Sequence, residues 1–481
     1  METTKKETKP TLEQQAAIDA QINTVVAAGA GSGKTTVLSK RFLNLIKTKG
    51  YKVDQILTLT FTKKATVEMS DRIFKVLKKD APEEAANFYK ANIKTLDSYC
   101  NTVAKLGCRF YGISPDFTQD DNAVFSAVSR QVIPFILKHR DNKAIKYFVD
   151  SQSYEKTALE LFVYPILNNS TVANPINFQE QTALQRKTAV EKWNKLIKKT
   201  EECINFFLNF ENTFEGNKDS TFFKKYLAIK NSYVEMEPVF LTEEIFKSCE
   251  FGRLESYAKM ICSLKFSAQY APSCCQEYKE VLAEFRVCLG EIPPLCNFIL
   301  GTDFINCLIP LMEEFQQIVM DTKRSLNCLT FNDVSNMALC ILKDYPEIRR
   351  QEKNKYKPIM IDEFQDNNKN QRDMLFLLAE KLDRMEKSVP TVEELCPEKL
   401  FFVGDEKQSI YRFRGADVEV FNGLRNDFIN GNLPMSTNHR SHPALIAAFN
   451  TIFGGYPFYE NKESKLKFPS VFFKEEDEQN S

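Results

Sequence analysis

At 481 residues the chain exceeds a single compact core, since domains typically hold roughly 100–200 residues, and two to four domains are expected. Lys plus Arg (64) equals Asp plus Glu (64), so overall charge supplies no attraction to nucleic acid and any such surface must be a local patch. No run approaches the roughly 20 apolar residues of a membrane span, and the start, METTKKETKPTLEQQ, has no apolar stretch behind its lysines; no membrane partner and a cytoplasmic setting are expected. Thirteen cysteines without a C-x-x-C pair, and only three histidines, argue against a zinc site or a disulfide framework; reduced, buried thiols are expected.

Along the chain, NTVVAA (23–28) reads as an apolar strand entering a glycine-rich turn and a helix. ILTLTFT (56–62) reads as a strand followed by the helical KKATVEMSDRIFKVLKK, and NIKTL precedes another helix. Residues 116 to 325 carry helical periodicity. Within them RKTAVEKWNKLIKK (186–199), with the single tryptophan Trp193, reads either as a DNA-facing helix or as a solvated amphipathic face. Beyond this stretch KPIMIDEFQD and KLFFVGDEKQS are short apolar strands ending in acidic residues, and ligands collect at the carboxyl ends of such strands. The last forty or so residues, ending in EEDEQNS, read as a loosely ordered acidic tail.

Three phrases carry chemistry. In AAGAGSGKTT (27–36) the small residues Ala28, Gly29, Ala30, Gly31, Ser32 and Gly33 let backbone N–H groups wrap a triphosphate. Lys34 then serves the β and γ phosphates, Thr35 a magnesium ion, and Thr36 continues the helix start. Ala28 stands where the strict pattern has glycine. Asp362 and Glu363 in IMIDEFQD close a buried strand, a place for one carboxylate on Mg²⁺ and a second to polarise the attacking water. In VGDEKQSIYRFRGAD (403–417) Gln408 is placed to meet the γ-phosphate or its water. Tyr411, Phe413 and the arginines there interleave aromatic faces with positive charge, as single-stranded DNA binding requires, although for Tyr411 a core role competes.

With these residues the chain resembles the UvrD-like superfamily 1 DNA helicases, leaning in spelling toward their AddA and RecB helicase-nuclease subunits. TLEQQAAI (11–18) resembles the glutamine motif, FTKKATVEM (61–69) motif Ia, KTLDSYC (94–100) motif Ib, IDEFQD motif II, VGDEKQSIYRFRGA motif III and STNHRS (436–441) motif IV. FNDV (331–334) resembles a short stretch that precedes motif II. The resemblance implies that Gln14 reads adenine, that His439 stands at the position of an adenine-stacking ring, and that Arg440 reaches the γ-phosphate. It also implies that Phe61 and Phe413 stack on bases and that Thr60, Thr95 and Arg414 lie along the strand. Asp97 departs from the histidine usual in motif Ib, and His439 from the usual Tyr or Phe.

The expected fold is α/β: a RecA-like P-loop parallel sheet with a large helical insertion and only the start of a second RecA-like domain. The expected division is 1–115 and 326–425 for the ATP-binding domain, 116–325 for the insertion, and 426–481 for the start of the second domain. ATP and Mg²⁺ are the expected cofactors, and single-stranded or duplex DNA the expected partner. Nothing after residue 442 resembles motifs V and VI or a nuclease, so a separate chain supplying the rest of the motor or a nuclease is also expected. The expected function is a DNA-dependent ATPase and helicase moving 3′ to 5′, serving double-strand-break repair or recombination. The alternative is a nucleotide-gated DNA-binding or assembly module that does not hydrolyse ATP alone.

Overall fold

The computed structural model describes residues 9–453, apart from 249–250, 274 and 413–414. Its centre is a six-stranded, wholly parallel sheet made of β1 (Thr24–Ala28), β2 (Leu57–Thr60), β3 (Asn92–Thr95), β4 (Ile359–Ile361), β5 (Leu400–Gly404) and β6 (Asn432–Met435). The spatial order is β3-β2-β4-β5-β1-β6. Thr24 pairs with Phe401, Leu59 with Ile361, and Ile361 with Phe402. A parallel sheet is covered on both faces, so its strands run continuously apolar: every residue of β2, β4 and β5 is buried. Those are the ILTLT, IMI and LFFVG runs of the sequence.

One face is covered by helices α2 (Lys34–Lys49) and α3 (Lys63–Asp80), whose Val37, Leu38, Phe42, Met69, Ile73 and Leu77 join Val26, Met360 and Val403 in one core. The short helix α1 (Leu12–Asp19) opens on a capping box between Thr11 and Gln14. It is tied down by Arg41, buried, which donates to the carbonyls of Ala17, Ile18 and Ala20 and lies 4.2 Å from the centre of the Phe401 ring. Helix α4 (Leu96–Gly107) follows β3 directly. It crosses the helix Phe331–Asp344 at Gly107, where a Cβ would come within 2.8 Å of Ile341.

The chain separates into two compact units. The sheet-bearing unit takes in 1–124, 171–174 and 323–481; the second, 125–170 and 175–322, is built of helices. Past the division expected at 425, residues 432–435 form β6 beside β1. The first described strand of the expected second domain therefore completes the first sheet, and the acidic tail lies outside the described residues. In the helical unit the longest element, Phe178–Thr213, has 36 residues, about 54 Å at 1.5 Å per residue. Trp193 is wholly buried on it, its indole N–H donating to the Val239 carbonyl at 2.8 Å, among Phe207, Tyr278 and Phe285. Trp193 is thus a core anchor, and the lysines at 187, 192, 195 and 198 occupy the solvent side, as an amphipathic face over 186–199 requires.

The eleven described cysteines are free, seven of them buried. Among the described residues no single helix is long and apolar enough to cross a membrane.

Buried charge in the sheet-bearing unit is concentrated at Glu380. This fully buried carboxylate meets Arg349, Lys353 and Arg384, each at 2.8 Å. Nearby, the Lys399 ammonium donates to the Lys353 carbonyl at 2.7 Å. Burial pushes Lys399 down to about 8. Taking one partner from a buried ion group leaves uncompensated charge, so Glu380→Gln should cost roughly 3–5 kcal/mol, measured by urea unfolding. Lys399 gives a pH signature. A lysine whose folded pKa lies below its unfolded value binds fewer protons when folded. The stability it withholds below pH 8 returns as pH rises from about 8 to 10.5. Relative to Lys399→Met, the parent chain should gain up to roughly 3 kcal/mol across that window; equal pH slopes in the two proteins would contradict this.

Candidate nucleotide and strand site

Because all six strands are parallel, their carboxyl ends share one edge, and the loops leaving that edge carry the predicted residues. Ala28 itself is the last residue of β1, buried and paired with Met435, so the wrapping loop begins at Gly29. Gly31 and Gly33 adopt φ of +76° and +90°, a left-handed region that side chains avoid. Gly33 also caps α2 without a side-chain hydrogen bond, so nothing of that kind screens a first turn whose N–H groups favour phosphate.

Three residues from two elements pin this loop. Gln14 uses Oε1 to accept from the Thr11 N–H and Nε2 to donate to the Ser32 carbonyl at 2.9 Å. A Cβ on Gly33 would meet that same Nε2 at 2.9 Å. From the motif following β6, the Asn438 amide donates to the Ala30 carbonyl at 2.8 Å and the His439 N–H to the Gly31 carbonyl at 2.9 Å. Ser436 is held in turn by Glu13, at 2.9 and 3.0 Å. The side chains of His439 and Arg440 are exposed beside this latch.

The acidic pair follows β4. Asp362 is buried, and its Oδ1 accepts from the Glu363 N–H at 3.0 Å. Burial, with the Glu363 charge second, pushes the Asp362 carboxyl up to about 7; burial and Glu363 likewise raise Asp366 to about 6. Glu363 has a left-handed backbone, φ 53°, which turns the chain sharply off the strand. Its Oε2 lies 2.9 Å from the Lys34 ammonium, joining the two chemical halves of the site across 329 residues of sequence. Thr35, the second residue of α2, is half-buried, and Thr36 is exposed.

Beyond the end of β5 the Gln408 amide donates to Asp405 Oδ2 at 2.6 Å. Further along the same loop Tyr411 packs against Phe61, which leaves β2, with ring centroids 4.9 Å apart. These two predicted strand-contacting rings therefore meet, both half-buried. Thr60 is buried and shares its hydroxyl with Thr66 at 2.6 Å, while Thr95 caps α4 by accepting from the Ser98 N–H. Those bonds give Thr60 and Thr95 local structural work at the same sheet edge. Phe413 and Arg414 lie outside the described residues.

Sequence reasoning passed over four participants. Gln365, Asn438, Asp405 and Glu13 all stand inside quoted motifs without a role assigned to them, and each has a partner far away in sequence. FNDV proves structural: the Asp333 carboxylate caps its helix at Thr330, accepts from the Val172 N–H, and pairs with Lys323, both side chains fully buried.

The model of the UvrD/REP helicase N-terminal domain matches residues 11–429. The AddA-type ATP-dependent helicase/nuclease protein of Clostridium perfringens is 28% identical over 516 residues, covering 93% of this chain and 38% of that protein. Its namesakes from Streptococcus sanguinis and Syntrophomonas wolfei are 27% and 26% identical, over 92% of this chain and 39% and 38% of theirs. The chain thus spans about two-fifths of the length of these curated relatives. A match running from the glutamine motif to the residues just before β6, over a parallel sheet whose P-loop lysine meets the motif II glutamate, means that this chain belongs to the UvrD/REP helicase family.

Proposed function

We propose that this chain binds ATP with Mg²⁺ and couples its hydrolysis to movement, 3′ to 5′, along single-stranded DNA, in the service of double-strand-break repair or recombination. The observation that carries the reading is the meeting of Lys34 and Glu363 at 2.9 Å. A P-loop cation and a strand-end carboxylate lie together at the mouth of a glycine cradle, where one can take the phosphates and the other the attacking water. Gln14 and His439 flank that cradle for the adenine, Arg440 is exposed beside it for the γ-phosphate, and Phe61 with Tyr411 forms an aromatic platform on the same edge for stacked bases.

The donor set suits magnesium. Among the described residues no group of three or more His, Cys, Asp or Glu side chains gathers to hold a metal alone. Mg²⁺ is ordinarily taken by one or two carboxylates together with substrate phosphates, and here Thr35 and Asp362 would hold it. The ion would supply charge neutralisation at the phosphates. Asp362, raised to about 7 by burial, would be drawn into its ionised form by such a cation. Glu363 would orient and deprotonate the attacking water, and Gln408 would report the nucleotide to the strand. A partner subunit is part of this reading, because the relatives are named as one subunit of a helicase/nuclease. The free thiols agree with a reducing cytoplasm.

ATP hydrolysis by the purified chain, with and without single-stranded DNA, tests this. DNA-stimulated turnover is expected, falling roughly 10²-fold or more in Glu363→Gln, as for loss of a general base. Nucleotide binding without turnover, in the parent chain, would replace this reading with that of a nucleotide-gated module. Lys34→Ala should abolish ATP binding in an equilibrium titration while leaving salt-sensitive single-strand binding within about threefold, because the strand is held by other residues. Unchanged ATP affinity in that variant would overturn the P-loop assignment.

A further inference from the structure

Between the nucleotide side and the strand side of the sheet edge stands Gln365, 1% exposed. Its Nε2 donates to Glu363 Oε2 at 2.9 Å and lies 3.3 Å from Asp366 Oδ2; its Oε1 accepts from the Asp405 N–H at 2.9 Å. The amide's orientation is fixed by chemistry, since a backbone N–H can only donate and ionised carboxylates can only accept. The fit is close: a Cβ on Gly404 would meet Gln365 Oε1 at 2.8 Å and the Phe421 ring at 2.9 Å. The Gln365 carbonyl in turn accepts from the Ser409 hydroxyl at 3.2 Å.

We infer that Gln365 is the positioning residue through which the nucleotide state of Glu363 reaches the segment that holds the strand. This rests on the function proposed above. The Glu363 oxygen that Gln365 grips is the same one that meets Lys34. Phosphates that engage Lys34 would free that oxygen on one side and leave Gln365 as its remaining protein donor among these contacts. Any shift of Glu363 then pulls on Gln365, whose other end holds the backbone of Asp405. Asp405 Oδ2 holds Gln408, and the chain runs from there through Ser409 to the Tyr411–Phe61 pair. Each link is a direct hydrogen bond or a short run of peptide, and the central one is buried, where bonds are stronger and an unpaired group is costly. The primary amide offers a donor toward Glu363 and an acceptor toward Asp405 at once. Glutamate would keep the acceptor and face two carboxylates; alanine would leave both neighbours unpaired.

The experiment compares the affinity of a fluorescein-labelled oligothymidine for the full chain, by anisotropy, without nucleotide and with saturating β,γ-imido ATP and Mg²⁺. Coupling between two sites is typically about 5–150-fold, and a ratio in that range is expected for the parent chain. In Gln365→Glu and Gln365→Ala the ratio should fall below about twofold, while the affinity for the ATP analogue, titrated separately, moves far less. A purely structural role would instead weaken both affinities together and lower the thermal midpoint. A parent ratio near one, or a ratio preserved in both variants, overturns the inference. Should both variants unfold, Asp405→Ala, which removes the acceptor of Gln408 and leaves Gln365 in place, tests the route from its far end, and an unchanged ratio there overturns it equally. Failure of the parent chain to bind nucleotide or DNA at all would count against the proposed function itself.

Discussion

Parallel strand direction is the constraint on which the rest of the molecule depends. A parallel sheet needs a crossover between every pair of neighbours, and it gathers all carboxyl ends on one edge. Gly29, Phe61, Asp362, Asp405 and Ser436 each begin the loop that leaves a different strand of that sheet. Residues hundreds of positions apart thereby reach hydrogen-bonding distance without a long irregular loop. The Lys34–Glu363 contact, separated by 329 residues, is the clearest product.

The same direction explains why charges buried near the sheet gather into ion groups. Strands covered on both faces cannot drain charge to solvent, so charged side chains near them form compact, saturated groups. Glu380 answers three cations, and Asp333 satisfies Lys323 together with its own helix cap. Such groups fix relative positions of helices more than they add net stability, because desolvation offsets most of the attraction.

The centre of the sheet was legible in the sequence because IMI before Asp362 and LFFVG before Asp405 are short, wholly apolar and followed by acidic residues. The glycine turn after β1 and the acidic pair after β4 were legible in position for a different reason, since each is a local phrase, and Gln408 stands beyond β5, where it donates to Asp405. β6 was missed because NLPM contains a proline and is only partly buried. Edge strands tolerate proline, and that tolerance removes the signal that marks a central strand. Around Trp193 the amphipathic reading was legible from the 3.6-residue period, which places the ring inward and the ammonium groups outward. The roles of Gln365 and Asn438 were invisible because an amide has no pattern of its own; its meaning comes from which donors and acceptors the fold sets around it.

The backbone at Glu363 carries one more implication. A left-handed φ of 53° at a residue with a side chain costs on the order of 1 kcal/mol relative to glycine. Selection for foldedness alone would therefore favour glycine at this turn, and the glutamate persists there against the local conformational preference. Position 363 is where thermostability and chemistry pull in opposite directions. Sequence optimisation that ranks substitutions by stability would, among its first changes, remove the carboxylate to which we assign water activation, and on that assignment it would return a sturdier, silent protein.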